Sequence, residues 1–136
     1  MRKTVKSMVD EAMAAITTHS VDQALVLHGR DDVQFIDLRD VRELDHEGVI
    51  PGAFHAPRGM LEFWVDPESP YHKPVFARPD TQYVLFCAAG WRSALATKTL
   101  QEMGLENVAH IEGGFTAWKS AGGPVAEKPK KTAKPA

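Results

Sequence analysis

Cysteine is nearly absent from this sequence: its 136 residues contain one, Cys87. A single cysteine cannot form an intramolecular disulfide, a Cys-x-x-Cys redox pair or a cysteine-rich zinc site. No apolar run approaches the roughly 20 residues that a membrane-spanning helix needs. Neither charge sign is in large excess, because 16 Lys and Arg stand against 18 Asp and Glu. The composition therefore gives no argument for a nucleic acid or a membrane as partner.

What is present is the composition of an ordinary soluble domain, with 43% hydrophobic and 25% charged residues. The length fits one domain with one sizeable core. Asp10 and Glu11 interrupt the N-terminal segment, which makes a secretory signal improbable, and we expect a cytoplasmic protein. We predict a single domain over residues 1–126 and a disordered tail, rich in lysine and proline, over 127–136.

Short apolar runs alternate with helical patterns along the chain. The predicted strands are 33–38, 53–56, 82–86 and 107–111. The predicted helical segments are 7–16, 20–28, 60–65, 92–104 and 114–122. A Ser-x-x-Gln capping box marks the second of these helices, and the four prolines within residues 66–80 predict a loop. The alternation indicates an α/β fold with a mainly parallel sheet and helices on both faces.

Cys87 directly follows the third predicted strand, at the edge of a parallel sheet where ligands bind. Ala88, Ala89 and Gly90 are small, so the backbone can turn tightly with its N–H groups facing inward, as in an anion-binding nest. The helix that begins near Arg92 directs its positive end to the same place, and Arg92 adds a fixed charge. These features favour a nucleophilic thiolate over an inert buried thiol.

The other polar residues have plainer interpretations. The six histidines show no convincing metal-ligand spacing, so we expect no metal and interpret them as surface or helix-end residues: His19, His28, His46, His55, His72 and His110. A cysteine–histidine hydrolase would need a histidine that the fold brings to Cys87, and the sequence leaves this alternative open. The charged patch after the first predicted strand is interpreted as a solvated loop and helix start, with Asp37, Arg39, Asp40, Arg42, Glu43 and Asp45. Asp37 and Arg39 are the exceptions, because they lie at a strand's carboxyl end and can face the Cys87 loop.

Several motifs, in this order along the chain, resemble the rhodanese-like (thiosulfate sulfurtransferase) domain family. They are FIDLRD (35–40), Glu43, GVIPGAFHAP (48–57), YVLFCAAGWRSALATKTLQEMG (83–104) and IEGGFTAWKSAGGPV (111–125). The resemblance covers about residues 15–125. It implies a rhodanese-like fold with a mainly parallel, five-stranded sheet.

The resemblance also implies a chemistry without a cofactor. Cys87 would be the catalytic thiolate: it attacks the sulfane sulfur of a small donor such as thiosulfate, and the resulting persulfide passes its outer sulfur to cyanide, a thiol or a protein acceptor. Arg92 would meet the donor anion, and backbone N–H groups of residues 88–92 would stabilise the negative sulfur. Asp37 and Arg39 would support the loop. The persulfide-binding loop implied in this way comprises Ala88, Ala89, Gly90, Trp91, Arg92 and Ser93, while Gly113, Gly114 and Trp118 match core residues of the family.

The length of the loop from Cys87 to Arg92 helps to distinguish sulfur transfer from other possible reactions. Phosphatases of this fold place five residues between cysteine and arginine, whereas four lie between Cys87 and Arg92. A sulfurtransferase enzyme is therefore favoured over a phosphatase or arsenate reductase. A sulfur carrier or docking module without turnover stays a second alternative. The loop departs from many relatives at Ala88, where a basic residue is common, and at Trp91, which could wall the pocket mouth or pack on its own helix.

Overall fold

The computed structural model describes residues 1–129 and has an α/β fold. Its strands are β1 (Thr17–His19), β2 (Val33–Asp37), β3 (Phe54–His55), β4 (Gln82–Phe86) and β5 (Val108–Ile111). Its α-helices are α1 (Val5–Ala15), α2 (Val21–Leu27), α3 (Val41–Glu47), α4 (Leu61–Val65), α5 (Trp91–Glu102) and α6 (Gly114–Ser120). Short 3-10 helices lie at Arg58–Met60 and Pro74–Ala77. Within residues 1–129, each helix is too short or too polar to cross a bilayer.

The five strands form one parallel sheet in the order β1-β5-β4-β2-β3. β4 lies at its centre, with Phe86 paired to Asp37 at the end of β2. All carboxyl ends therefore meet at the same edge, which is where Cys87 follows β4. The predicted α/β class with a parallel, five-stranded sheet is confirmed.

Side chains alternate between the two faces of the sheet and bury a core on each. On one face, Ile36 and Leu85 pack with residues of α4 and α5. On the other, Phe35 and Phe86 pack with residues of α2 and α6. Burial of both faces explains why the central strands read as nearly continuous apolar runs. The expected helices on both faces are present.

Local capping fixes where the helices begin. Ser20 Oγ accepts from the Gln23 amide at 3.2 Å, and Gln23 Oε1 accepts from the Ser20 amide at 2.8 Å, which confirms the capping box predicted for α2. Asp40 and Glu43 form an equivalent box at α3. The reciprocal bonds satisfy amides that have no partner within the helix.

β1 was not among the predicted strands. This strand is three residues long, and its Thr-Thr-His sequence has neither an apolar run nor an alternation to mark it. β1 exists because it pairs with β5, about ninety residues later, placing Thr18 opposite His110. The loop predicted over 66–80 is interrupted by the 3-10 helix at Pro74–Ala77.

The start of the predicted tail lies against α3. Val49 and Ala126 form an antiparallel bridge, and Lys128 Nζ lies 3.2 Å from Asp45 Oδ1. Residues 130–136, which make up most of the tail predicted to be disordered, lie outside the described residues. The domain boundary at 126 stays a prediction.

Candidate active site

Cys87 lies beneath the loop that joins β4 to α5, with 1% of its surface exposed. The amide of Gly90 donates to its Sγ at 3.2 Å and the amide of Ser93 at 3.4 Å. Gly90 is the N-cap of α5 with φ 111°, a left-handed conformation that strains other residues. The amides that reach the sulfur are thus those of Gly90 and Ser93 rather than a continuous run over 88–92. Their N–H dipoles converge on one sulfur atom and stabilise negative charge there.

The first turn of α6 holds the loop from below. The Phe115 amide donates to the Cys87 carbonyl oxygen at 2.8 Å, and the Thr116 amide donates to that of Ala88 at 3.0 Å. Gly114 has φ 58°, and a Cβ at this position would lie 2.4 Å from the Cys87 carbonyl oxygen. Gly114 was expected to serve core packing; the structure places it directly against the loop. Trp118, with 0% exposure, is core as expected.

Asp37 and Arg39 form a buried ion pair beside this loop, with side chains 2% and 1% exposed. Arg39 donates to Asp37 from Nε at 3.0 Å and from Nη2 at 2.7 Å, and Nη2 also donates to the Gly48 carbonyl oxygen at 2.9 Å. The guanidinium stacks 4.0 Å from the centre of the Phe115 ring. Because Phe115 also holds the Cys87 carbonyl, the pair connects β2 to the underside of the loop.

Arg92 and Glu43 form a bidentate pair at the rim, with Nη–Oε distances of 2.8 and 2.9 Å. Glu43 was interpreted as part of a solvated patch, and that interpretation is wrong: α3 brings it onto the loop arginine. The hydrogen bonds with Arg92 hold the pKa of Glu43 below its ordinary value. The pKa of Arg92 is raised, first by Glu43 and to a smaller extent by the nearby Cys87. Arg92 is therefore paired at the rim before any donor arrives.

Replacing Glu43 with glutamine tests this pair through pH. A carboxyl whose pKa is lowered by folding contributes stability above its ordinary value of 4.5, and the contribution is lost as pH falls through the lower folded value. We expect wild type to be more stable than Glu43→Gln near neutral pH, by less than about 1 kcal/mol because water screens the half-exposed pair. In acid this difference should vanish. Urea unfolding at about pH 7 and about pH 3 measures it.

Glu47→Gln is the matched control, since Glu47 is an exposed carboxylate on the same helix. Its stability relative to wild type should change little between the two pH values. A Glu43→Gln difference that is independent of pH would show that the ion pair does not contribute.

A cleft of about 740 Å³ opens beside the loop, between α3 and the start of α6. Its walls include Arg39, Glu43, Ala88 and Phe115, so Ala88 faces the space through which a substrate could approach. Trp91 lies elsewhere: it is 51% exposed and lines a smaller cavity of about 240 Å³ together with Met13 of α1 and His110. Trp91 was expected to wall the pocket mouth or to pack on its own helix; the structure places it along this second cavity and not in the cleft beside Ala88.

His110 is the residue near the sulfur that sequence analysis missed. It was interpreted as a surface or helix-end histidine, but it lies in β5 with 1% exposure. Its Nδ1 atom is 2.9 Å from Ser93 Oγ, which in turn is 3.5 Å from Cys87 Sγ. The local sequence Val-Ala-His-Ile gives no signal for this contact, because it depends on the pairing of β5 beside β4.

The arrangement suits one kind of chemistry. A thiol accepts hydrogen bonds from two backbone amides, beside a cleft and near the Arg92 guanidinium. Such donors can stabilise negative charge on the cysteine sulfur, or on a second sulfur attached to it, without a metal or cofactor.

The fold and the loop together define an α/β protein with a buried cysteine whose sulfur accepts from two backbone amides of the loop after β4. A family model described as the rhodanese-like domain matches residues 20–121. The chain therefore belongs to the rhodanese-like domain family.

Individual relatives differ in what they are described as doing. Thiosulfate sulfurtransferase GlpE of Pseudoalteromonas translucida is 30% identical over 102 residues, 75% of this chain and 88% of that protein. A Rhodopseudomonas palustris protein of unknown function, described as a possible tyrosine phosphatase, has a structure 53% identical with TM-score 0.90, covering 93% and 96%. The polysulfide-sulfur transferase homodimer of Wolinella succinogenes is 30% identical with TM-score 0.68, covering 94% and 90%.

Proposed function

We propose that this protein is a sulfurtransferase that moves a sulfane sulfur from a small donor such as thiosulfate to a thiophilic acceptor through a persulfide on Cys87. The observation that carries the proposal is the size of the loop. Four residues separate Cys87 from Arg92, and the Gly90 and Ser93 amides lie 3.2 and 3.4 Å from Sγ. This short loop accommodates one sulfur atom more readily than a tetrahedral phosphate.

In the first half of the reaction, the Cys87 thiolate attacks the outer sulfur of the donor. A sulfur–sulfur bond to Cys87 forms, the donor's own bond to that sulfur breaks, and the remaining anion leaves with the electron pair; for thiosulfate it is sulfite. In the second half, cyanide or a thiolate attacks the outer sulfur of the persulfide. The product, thiocyanate or a new persulfide, leaves, and the Cys87 thiolate returns.

The surrounding residues have separate roles in this proposal. The Gly90 and Ser93 amides stabilise negative charge on sulfur in both halves. Arg92 meets the donor anion at the rim, partly released from Glu43. Asp37 and Arg39 brace the loop from the side of β2. These roles need no group beyond the chain's own residues.

The relatives support sulfur chemistry from two directions. The similar GlpE protein is named a thiosulfate sulfurtransferase and the similar Wolinella protein a polysulfide-sulfur transferase. Both names describe sulfane-sulfur donors. Thiosulfate and polysulfide are therefore the donors to test, with cyanide, a small thiol or a protein thiol as acceptor.

A second candidate function is phosphate ester hydrolysis, favoured by the 53% identical structure described as a possible tyrosine phosphatase. Hydrolysis of a phosphate ester would use the same Cys87 thiolate and the same amides of Gly90 and Ser93. The short loop argues against it, because a phosphoryl group needs donors to three oxygens at once.

Parallel assays separate the candidates. The protein is incubated with thiosulfate and cyanide while thiocyanate is measured, and separately with p-nitrophenyl phosphate while the released phenol is measured. We expect catalytic thiocyanate formation and negligible ester hydrolysis. Ester hydrolysis that exceeds sulfur transfer would support the phosphatase, and sulfur loading without turnover would support a carrier or docking module.

A further inference from the structure

A chain of three side chains leads away from the Cys87 sulfur, on elements that the cleft does not use. Ser93 Oγ on α5 is 3.5 Å from Cys87 Sγ and 2.9 Å from His110 Nδ1 on β5. His110 Nε2 is 3.1 Å from Thr18 Oγ1 on β1. Ser93 has 0% and His110 1% of its surface exposed, so solvent does not compete for the contact between them. Every polar atom of the His110 ring thus has one partner, and one of these partners touches the sulfur.

We propose that His110 is a positioning residue for Cys87: its Nδ1 atom sets the direction of the Ser93 hydroxyl, and thereby whether that hydroxyl accepts from the sulfur or donates to it. The effect of this hydrogen bond on catalysis rests on the sulfurtransferase activity proposed above. The hydrogen bond between Ser93 and the sulfur does not rest on it, because that bond concerns the charge on Cys87 and not the group transferred.

The two charge states of the sulfur require opposite directions of hydrogen bonding. With Cys87 as a thiol, S–H donates to Ser93 Oγ, the Ser93 hydroxyl donates to His110 Nδ1, and Nε2–H donates to Thr18 Oγ1. With Cys87 as a thiolate or persulfide anion, the Ser93 hydroxyl donates to the sulfur and Nδ1–H donates to Ser93 Oγ. The Thr18 hydroxyl then donates to Nε2. Between the states, the sulfur proton passes to Ser93 Oγ and the former Ser93 hydroxyl proton passes to His110 Nδ1. The Nε2 proton passes to Thr18 Oγ1, which releases its own proton to solvent. One proton is lost in total, and no atom is oxidised or reduced.

His110 can change between these states without carrying a charge. Burial, with a smaller contribution from the neighbouring His19, lowers the pKa of His110 to about 4, so the imidazole is neutral near physiological pH. The titratable groups around it are His19 on β1, Asp10 on α1, Glu112 after β5 and Cys87 directly after β4; Asp10 and Glu112 line the same small cavity. The histidine therefore responds by exchanging tautomers.

Ser93 has an alternative acceptor, which is why its direction needs to be fixed. The Gly90 carbonyl oxygen lies 3.3 Å from Ser93 Oγ. When Nδ1–H donates to Oγ, the remaining hydroxyl proton is directed to the sulfur. Without that donor the hydroxyl can turn to Gly90, and the thiolate keeps the two amides but loses the third hydrogen bond.

The single cysteine makes the test unambiguous, because iodoacetamide can alkylate no other thiol. The rate of alkylation is measured against pH for His110→Asn and His110→Gln. The amide of Asn occupies the position of Nδ1 and can still bond Ser93, whereas that of Gln extends to the position of Nε2. We expect the alkylation rates of His110→Asn to stay close to those of wild type across the pH range. For Gln we expect about tenfold slower alkylation near neutral pH and a profile midpoint about one unit higher, the effect of one hydrogen bond to a charged atom.

Ser93→Ala should show a similar shift, and adding His110→Gln to it should produce no further change, since both act through one hydroxyl. The control is His28→Gln, because His28 packs between Phe35 and Trp118, away from the loop. The proposal is overturned if His110→Gln coincides with this control, or if its effect adds fully to that of Ser93→Ala. Alkylation uses no sulfur donor, so a protein with the expected profiles and no sulfur transfer would refute only the proposed function.

Discussion

Cys87→Ser is expected to reduce thiocyanate formation from thiosulfate and cyanide at least about a thousandfold, to the uncatalysed rate, because a serine hydroxyl cannot accept and release a sulfane sulfur. The fold should persist. Serine is nearly the same size as cysteine, and its oxygen can accept from the Gly90 and Ser93 amides that now donate to Sγ. Initial rates of thiocyanate formation test the loss of activity, and the urea unfolding midpoint, measured on the same preparations, tests whether the fold persists.

A control for the loop itself is Trp91→Phe, since Trp91 is 51% exposed and lines the second cavity, not the cleft beside Ala88. This variant should keep activity within a few-fold of wild type. Thiocyanate formation by Cys87→Ser at a substantial fraction of the wild-type rate would refute a mechanism through this cysteine.

Asp37→Ala is expected to lower the free energy of unfolding by about 3–5 kcal/mol, the usual cost of leaving a buried charge without its partner. Arg39 is 1% exposed, and its Nε and Nη2 donate to Asp37. Removal of the carboxylate leaves the guanidinium with the Gly48 carbonyl oxygen and the Phe115 ring. Urea unfolding at neutral pH measures the loss. Sulfur transfer should also fall, since Phe115 holds the Cys87 carbonyl.

The chain contains a matched control for this prediction. Arg30 and Asp32 form an ion pair of the same i, i+2 spacing, in the opposite order along the chain, at 2.9 Å, but their side chains are 55% and 52% exposed. Asp32→Ala should change the free energy of unfolding little, because water solvates the remaining arginine. Equal losses for Asp37→Ala and Asp32→Ala would contradict the role given to the buried pair.

The fold was predictable where its causes are local. The strands around Phe35 and Val84 are short apolar runs, and α2 has its capping box, so these elements follow from neighbouring residues. β1 does not: Thr17–His19 is extended because β5 offers it a hydrogen-bonding edge. Its hydrogen-bonding partner lies too far along the chain for any local pattern to reveal it.

In the candidate site, too, the residues that are close together in the sequence could be predicted and the distant ones could not. The loop from Cys87 to Ser93 is contiguous, so its small residues, its glycine and the helix that follows could be interpreted together. Glu43 and His110 lie on α3 and β5, and each reaches the loop only after the sheet has formed. Glu43 was part of the family motif, but nothing in its neighbours distinguished a partner of Arg92 from a solvated carboxylate.

The presence of Ala88 in place of a basic residue affects how the charge on the sulfur is stabilised. Many relatives have a basic residue at this position, and here Arg92, the remaining charge of the loop, is paired with Glu43. The donors that reach the sulfur are therefore the uncharged amides of Gly90 and Ser93, and the Ser93 hydroxyl joins them in the direction proposed above for the thiolate. Donor selectivity should accordingly depend on these groups and on the cleft beside Ala88.

The central claim is that Cys87 carries the transferred sulfur, and the intact mass of the protein tests it most directly. After incubation with thiosulfate or polysulfide and removal of the excess, wild type should be heavier by one sulfur atom. Cyanide should restore the original mass, and Cys87→Ser should never gain the sulfur. No gain in wild type with either donor, or an equal gain in Cys87→Ser, would contradict the account.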